Sequence, residues 1–119
     1  MILVDTSVWV DHLRRGDPIL VGLLEQQRVL SHPFVLGEIA TGNLRQRAVI
    51  LSALRGLPQA VLAHDSEVMD FLEREMLFGT GLGYIDIHLL ASTRLTAGGM
   101  LLTRDKRLLT AAMRMSIAA

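Results

Sequence analysis

Short, uninterrupted apolar runs alternate along this chain with longer segments in which apolar residues recur every three or four positions. The first run, Ile2 to Val4, ends at the acid Asp5, which is typical of a strand that is buried on both faces. Similar runs at 28–31, 58–63 and 100–103 predict three more strands. The few residues after the last helical pattern leave room only for a stub of another strand.

Helical patterns fill the intervals between these strands. Capping residues, first-turn prolines and closing glycines predict seven helices, over about 7–15, 17–27, 33–41, 45–55, 65–76, 84–96 and 105–115. Strands that are separated by helices predict an α/β fold, a three-layer α/β/α domain with a central, mainly parallel sheet of four to five strands. The side chains of Trp9, Phe34 and Met76 are expected in its core.

Composition narrows the class of protein. The chain has 119 residues, half of them hydrophobic, which predicts a single domain over 1–119 with its own core. It has no cysteine, which excludes disulfides, thiolate zinc sites and cysteine nucleophiles. No apolar run approaches the roughly 18 residues of a membrane span, and no export signal is apparent, so we expect a cytoplasmic protein without membrane contact.

Charge is balanced, with 12 basic and 12 acidic residues and a formal net charge of zero. A nucleic-acid partner would therefore need a local basic patch, because the chain as a whole offers no positive field.

Four acids stand at positions that are unusual for surface residues. Asp5 and Asp105 follow predicted strands, and the carboxyl ends of parallel strands border the crevice in which such folds bind ligands. Glu38 and Asp86 lie on helix faces that their apolar neighbours turn inward. If the four meet, their carboxylates repel one another, and a divalent cation relieves that repulsion. An all-oxygen set favours Mg²⁺ or Mn²⁺.

Each acid also has a purely structural interpretation. Asp5 would only end its strand if Thr6 or Ser7 capped the first helix, and Asp105 would be only a helix cap. Glu38 would lie on a solvated flank if the helix were shifted by one residue. Asp65 is expected to cap the fifth helix. For two further features the structural interpretation is favoured: a surface or packing role for His88, and a flexible turn for the glycines at 79, 81 and 83.

Four blocks carry a resemblance to a known family. They are ILVDTSVW (2–9), PFVLGEIATG (33–42), GLGYIDIHLLAS (81–92) and LLTRDKRL (101–108). Together they resemble the four conserved blocks of the PIN-domain ribonucleases, and their order, spacing and chain length are most similar to those of the VapC toxins of bacterial toxin–antitoxin pairs. The resemblance spans nearly the whole chain.

The resemblance implies metal-dependent hydrolysis of RNA phosphodiester bonds. It assigns Mg²⁺ or Mn²⁺ binding and catalysis to the four acids and support roles to three hydroxyl residues: Asp5, Glu38, Asp86 and Asp105, with Thr6, Ser7 and Thr103. The chain departs from many relatives at Arg107, where they carry a further acid, and this leaves open whether Asp105 binds the ion directly. Beside that acid, Arg104, Lys106 and Arg107 either hold the RNA backbone or form a solvated helix start.

The same resemblance implies partners. They are a cognate antitoxin, whose tail would lie in a groove of the early helices that includes Trp9, Leu13, Leu20 and Leu24, and a second copy in a homodimer. Two alternatives remain open at this point: a housekeeping RNA-processing nuclease of the same fold, and a non-catalytic binding module whose acids only cap helices.

Overall fold

The computed structural model describes all residues from 1 to 119 and contains three β-strands and seven α-helices. The strands are β1 (Ile2–Val4), β2 (Val29–Leu30) and β3 (Met100–Leu102). The helices are α1 (Thr6–Arg15), α2 (Pro18–Glu25), α3 (Pro33–Ala40), α4 (Arg47–Arg55), α5 (Asp65–Arg74), α6 (Tyr84–Leu95) and α7 (Lys106–Arg114). None of these helices has the length and the apolar composition that a membrane crossing requires.

The sheet is parallel, with β1 in the middle and the order β2-β1-β3. Leu3 is the central residue, opposite Leu30 on one side and Leu101 on the other. A single parallel bridge extends each edge, from Ser31 to Gln59 and from Leu101 to Ala118. The expected four to five strands are therefore three strands with one bridge at each edge.

The prediction of a strand over 58–63 is wrong except for the bridge between Ser31 and Gln59. The backbone of Ser31 accepts from Ala60 and donates to Pro58, but the next amide, that of Val61, donates to the side-chain oxygen of Thr96. Val61 and Leu62 are exposed as a result. The apolar sequence of this segment indicates a strand, but its backbone has no neighbour in the sheet after Ala60.

Burial of β1 shows that helices cover both faces of the sheet. Ile2, Leu3 and Val4 point alternately to the two faces, and all three are buried. A strand buried on both faces is typical of a parallel sheet between two helical layers. The predicted α/β/α class is confirmed.

Two helix starts differ from the prediction. At the start of α1, Asp5 occupies the N-cap position without a side-chain capping bond, so neither Thr6 nor Ser7 is the cap. His64 occupies that position before α5, and Asp65 is the first helical residue. By contrast, Asp17 caps α2 as expected, because its Oδ1 accepts the N–H groups of Ile19 and Leu20.

Only one of the three large side chains predicted for the core lies there. Trp9 is buried, and its indole Nε1 has no hydrogen-bond partner. Phe34 is 38% exposed and packs edge-on against His32 and His88. Met76 is 64% exposed because α5 ends at Arg74, so the four-residue spacing that predicted an inward face does not continue to Met76.

Candidate active site

The four acids come from four separate segments that meet at the carboxyl end of the sheet. Asp5 directly follows β1, Asp105 follows β3, and Glu38 and Asp86 project from α3 and α6. The charges of Asp5, Asp105 and Glu38 all lie close enough to Asp86 to raise its pKa. Asp5, Glu38 and Asp105 therefore all lie near Asp86 at this end of the sheet.

Asp5 is held by two hydroxyl groups. Its Oδ2 accepts from Ser7 Oγ at 2.7 Å and from Thr103 Oγ1 at 2.8 Å. The residue is buried, yet its Oδ1 has no hydrogen-bond partner and is not sealed from solvent. Ser7 and Thr103 thus hold one oxygen of Asp5 and leave the other available.

Glu38 lies on the exposed side of the site. Its Oε1 accepts a hydrogen bond of 2.8 Å from Thr6 Oγ1, which links α3 to the first residue of α1. The predicted inward orientation of Glu38 is therefore only partly right, because the side chain reaches the site at its solvent-facing rim.

Asp86 lies in the first turn of α6, where its Oδ2 accepts the N–H of Gly83 at 3.1 Å. Partial burial raises the pKa of this carboxyl, the Gly83 N–H lowers it, and the three neighbouring carboxylates raise it again; the net shift is upward. Gly83 had been assigned to a flexible turn. The sequence feature that indicates the contact is the acid three residues after Gly83. At this spacing a side chain in the first turn of a helix can accept the backbone N–H of the cap residue.

Asp105 caps α7, and one oxygen of its carboxylate takes part in no hydrogen bond with the protein. Its Oδ1 accepts the N–H groups of Arg107 and Leu108 at 3.0 Å each and so caps α7. Its own N–H donates to Thr103 Oγ1 at 3.1 Å. The second oxygen of this exposed side chain remains without a protein partner.

One pattern unites the four acids: the protein engages one oxygen of each carboxylate and leaves the other free. Groups held in this way through a supporting layer of donors are typical of oxygen ligands for a hard cation such as Mg²⁺. In the present arrangement no three acidic or histidine side chains stand close enough to share one ion. The donor chemistry fits a divalent cation, and direct ligation would require the carboxylates to move together.

His88 takes no part in the acid group. It is buried, its Nε2 lies 3.1 Å from Asp65 Oδ1, and its ring packs against Phe34 and Tyr84. This is the packing role that the sequence favoured.

The three basic residues beside Asp105 are not equivalent. Arg104 pairs with Asp17 and, at 3.1 Å, with Asp11, so two carboxylates already occupy its guanidinium. Lys106 and Arg107 have no acidic partner and remain free to bind an anion. The sequence did not predict the Arg104 pairs, because their partners lie far away along the chain.

The predicted antitoxin groove is wrong in two of its four residues. Trp9 and Leu20 are buried in the core and offer no surface. Leu24 lines a small depression beside β2, away from the acids. Leu13 does line a cavity of about 650 Å³ that also contains Glu38, together with apolar side chains from α1, α3, the loop before α4, and α4: Val10, Ile39, Leu44 and Ile50.

Comparisons with known proteins agree with this fold. The PIN domain family model matches residues 2–112. Ribonuclease VapC32 of two Mycobacterium tuberculosis strains, CDC 1551 / Oshkosh and ATCC 25618 / H37Rv, is 47% identical over 119 residues, covering 99% of this chain and 95% of that protein.

Two crystal structures have a similar fold. FitAcB from Neisseria gonorrhoeae superposes with a TM-score of 0.66 at 20% identity, over 99% of this chain and 95% of that one. PAE2754 from Pyrobaculum aerophilum gives a TM-score of 0.59 at 15% identity, over 93% and 78% of the two chains. The family match over nearly the whole chain confirms the resemblance of the four sequence blocks: this chain belongs to the PIN-domain family, as a VapC-like ribonuclease homologue.

Proposed function

We propose that this chain is a cytoplasmic endoribonuclease that uses Mg²⁺ or Mn²⁺, and that it is the toxin of a toxin–antitoxin pair. One observation supports the catalytic part: Asp5, Glu38 and Asp105, from distant segments, lie near Asp86, and each of the four carboxylates keeps one oxygen free. A binding module whose acids only cap helices does not account for this, because Glu38 caps no helix and Asp5 makes no capping bond. The name of the relative at 47% identity, a ribonuclease, supports the same reaction.

The roles of the residues follow from their contacts. The free oxygens of Asp5, Glu38 and Asp86, with Asp105 directly or through water, would hold the cation. A divalent cation, when bound, supplies an activated water and neutralises charge on the phosphate. Beside it, Lys106 and Arg107 would hold the RNA backbone through their free charges.

Hydroxyl groups provide the support that such a site needs. Ser7 and Thr103 fix Asp5, and Thr6 fixes Glu38. Each removes rotational freedom from a carboxylate before the substrate arrives, which lowers the cost of assembling the reactive arrangement. These residues are positioning residues in this proposal.

Cleavage assays test the reaction. We expect the purified chain to cut RNA in Mg²⁺ or Mn²⁺ and to be inactive in chelator. The variant Asp86→Asn should be less active by at least two orders of magnitude. The matched control is Asp70→Asn, the same chemical change on an exposed face of α5. Cleavage that survives both chelator and Asp86→Asn would contradict the proposal.

Expression in growing bacteria separates a toxin from a housekeeping nuclease. A toxin should arrest growth when it is expressed alone, and Asp5→Asn should abolish the arrest. A small reading frame upstream of this one should encode a protein that restores growth. Growth arrest by wild type and Asp5→Asn alike would exclude RNA cleavage as its cause.

The cavity that contains Leu13 and Glu38 supports an antitoxin site. An apolar tail could lie along α1 and α3 there, and a basic side chain on it would meet Glu38 at the rim of the acid group. We expect the purified antitoxin to weaken Mn²⁺ binding. An unchanged Mn²⁺ affinity in the complex would contradict this part.

A homodimer is the expected state of the free chain, and light scattering of the purified protein measures it.

A further inference from the structure

A second pocket, of about 360 Å³, lies between α7 and the loop before α6. Its floor is apolar and includes Leu77, which is buried, and Leu82, which is half-buried. Its rim carries Lys106, Arg107 and Arg114, all exposed. No acidic residue lines it.

The three cations of this pocket lack any carboxylate partner. Lys106 and Arg107 make no side-chain hydrogen bond, and Arg114 donates only to the backbone oxygen of Glu75, at 2.7 Å. By contrast, Arg104, which lies three residues before Arg107 in the sequence and outside α7, is paired with two aspartates. In a chain with zero net charge, this pocket is therefore a local positive patch of the kind that a nucleic acid requires.

Both walls of the pocket continue directly into the acid site. On one wall, Arg107 donates its backbone N–H to Asp105 Oδ1. On the other, Leu82 is followed by Gly83, whose N–H holds Asp86. An RNA strand bound in the pocket would therefore enter or leave the acid group between Asp86 and Asp105.

Gly81 allows the side chain of Arg107 to lie close to the loop before α6. Its φ of +83° belongs to the left-handed region, and a Cβ added there would lie 2.9 Å from Arg107 Nη1. The guanidinium thus lies close to a stretch of backbone that carries no side chain, and a side chain at position 81 would displace it.

We propose that this pocket is a subsite for a short single-stranded RNA segment next to the scissile phosphate. Phosphates lie against Arg107 and Arg114, and a base rests on Leu82, the half-buried residue of the apolar floor. The helical rise between the two arginines is roughly 10 Å, whereas stacked nucleotides advance about 3.4 Å each, so more than one nucleotide fits. The inference rests on the proposed function, and it adds Arg114 and the apolar floor to the residues that contact RNA.

Binding measurements in chelator test the subsite without cleavage. The probe is a labelled single-stranded RNA oligonucleotide, whose affinity is followed by fluorescence anisotropy over a range of NaCl concentrations. Arg107→Gln and Arg114→Gln should each weaken binding several-fold and lower the slope of log K against log salt by about 0.7. Leu82→Ser should weaken binding without changing the slope, because an apolar contact releases no counterion.

The matched control is Arg55→Gln, an exposed arginine at the end of α4, near the opposite edge of the sheet. It should bind RNA as the wild type does. Circular dichroism establishes that each variant is folded, and the two arginine variants, which change exposed side chains, test the proposal even if Leu82→Ser does not fold.

Three results would overturn the subsite: wild-type affinity and slope in both arginine variants, an equal loss in Arg55→Gln, or no RNA affinity in the wild type. Unchanged affinity in a folded Leu82→Ser would overturn the base contact. Failure of the proposed function looks different. A wild type that binds RNA with the expected dependence on Arg107 and Arg114, but cuts it with neither Mg²⁺ nor Mn²⁺, would refute the nuclease and leave the subsite in place.

Discussion

Thr103 donates a hydrogen bond of 2.8 Å to Asp5 and thereby joins the ends of β3 and β1. The same hydroxyl oxygen accepts the N–H of Asp105 at 3.1 Å. One side chain thus sets the position of the first acid and of the segment that carries the fourth. Its hydroxyl group is as important here as its fit in the core.

Thr103→Val tests this relationship, because it removes the hydroxyl and keeps the shape. A buried carboxylate oxygen loses one of its two donors, so we expect a loss of about 1–2 kcal/mol in the free energy of unfolding and reduced RNA cleavage. Urea titration measures the first effect. The control is Thr110→Val on the exposed face of α7, where a change of a few tenths of a kcal/mol is expected. Equal losses in the two variants would refute a special role for Thr103.

Asp86→Asn should stabilise the metal-free protein while it abolishes activity. The substitution removes one of four mutually repelling charges, and the amide oxygen can still accept the Gly83 N–H, so the gain should be on the order of 1 kcal/mol, a few degrees in Tm. Saturating Mn²⁺ should cancel or reverse the gain, because the ion stabilises only the protein that keeps all its ligands. A variant that is equally destabilised in chelator and in Mn²⁺ would identify Asp86 as a structural acid.

His32 should make the fold sensitive to acid. Burial, with a smaller contribution from nearby His88, lowers the pKa of His32 to about 4. Its Nδ1 accepts the Phe34 N–H, so the proton of the neutral ring lies on Nε2, which donates to Ser92 Oγ. The unfolded chain therefore binds more protons than the folded one between pH 6.5 and 4, and stability falls as the pH drops through this range, by on the order of 3 kcal/mol.

His32→Asn isolates that dependence, because the asparagine oxygen can still accept the Phe34 N–H at the start of α3. We expect a flatter profile of unfolding free energy between pH 6.5 and 4 than in the wild type. The control is His64→Asn, at an exposed position before α5, which should keep the wild-type slope. If His32→Asn retains that slope as well, His32 does not carry it.

Arg104 should stabilise the fold through Asp17. Burial raises the pKa of Asp17, but the Leu20 N–H, the Arg104 pair and the Ile19 N–H together outweigh it, so that the pKa is lowered. A double-mutant cycle with Arg104→Gln and Asp17→Asn should give a coupling of about 1–2 kcal/mol. The more exposed pair of Arg94 and Glu75, at 3.6 Å, should give less than about 0.5 kcal/mol. Similar couplings in the two cycles would contradict a special role for the Arg104 pair.

Local sequence signals predicted the parts of this structure that depend on local physics. The apolar run before Asp5, the prolines in first turns and the caps at Asp17 and Asp105 each follow from a few adjacent residues, and the structure has them at or near the predicted positions. Positions after strands and on inward helix faces singled out the four acids, and the resemblance of the four blocks then implied a common role for them.

Two predictions failed because distant residues decide the outcome. The segment after Pro58 is apolar enough for a strand, but β2 offers it a partner for only one bridge. Arg104 stands in a basic run that suggests phosphate binding, yet acids from α1 and from the N-cap of α2 reach it first. Periodicity within a helix contains no information about either contact.

The order of the strands has a consequence for synthesis on the ribosome. The middle strand leaves the ribosome first, and its partner β3, with the register Ile2 opposite Met100, leaves it nearly a whole chain length later. Until then one edge of β1 is unpaired and the last acid is missing, so the nascent chain has no complete nuclease site. Because β1 gains its second neighbour only at that point, the sheet and the acid group at its carboxyl end form only after nearly the whole domain has been synthesised.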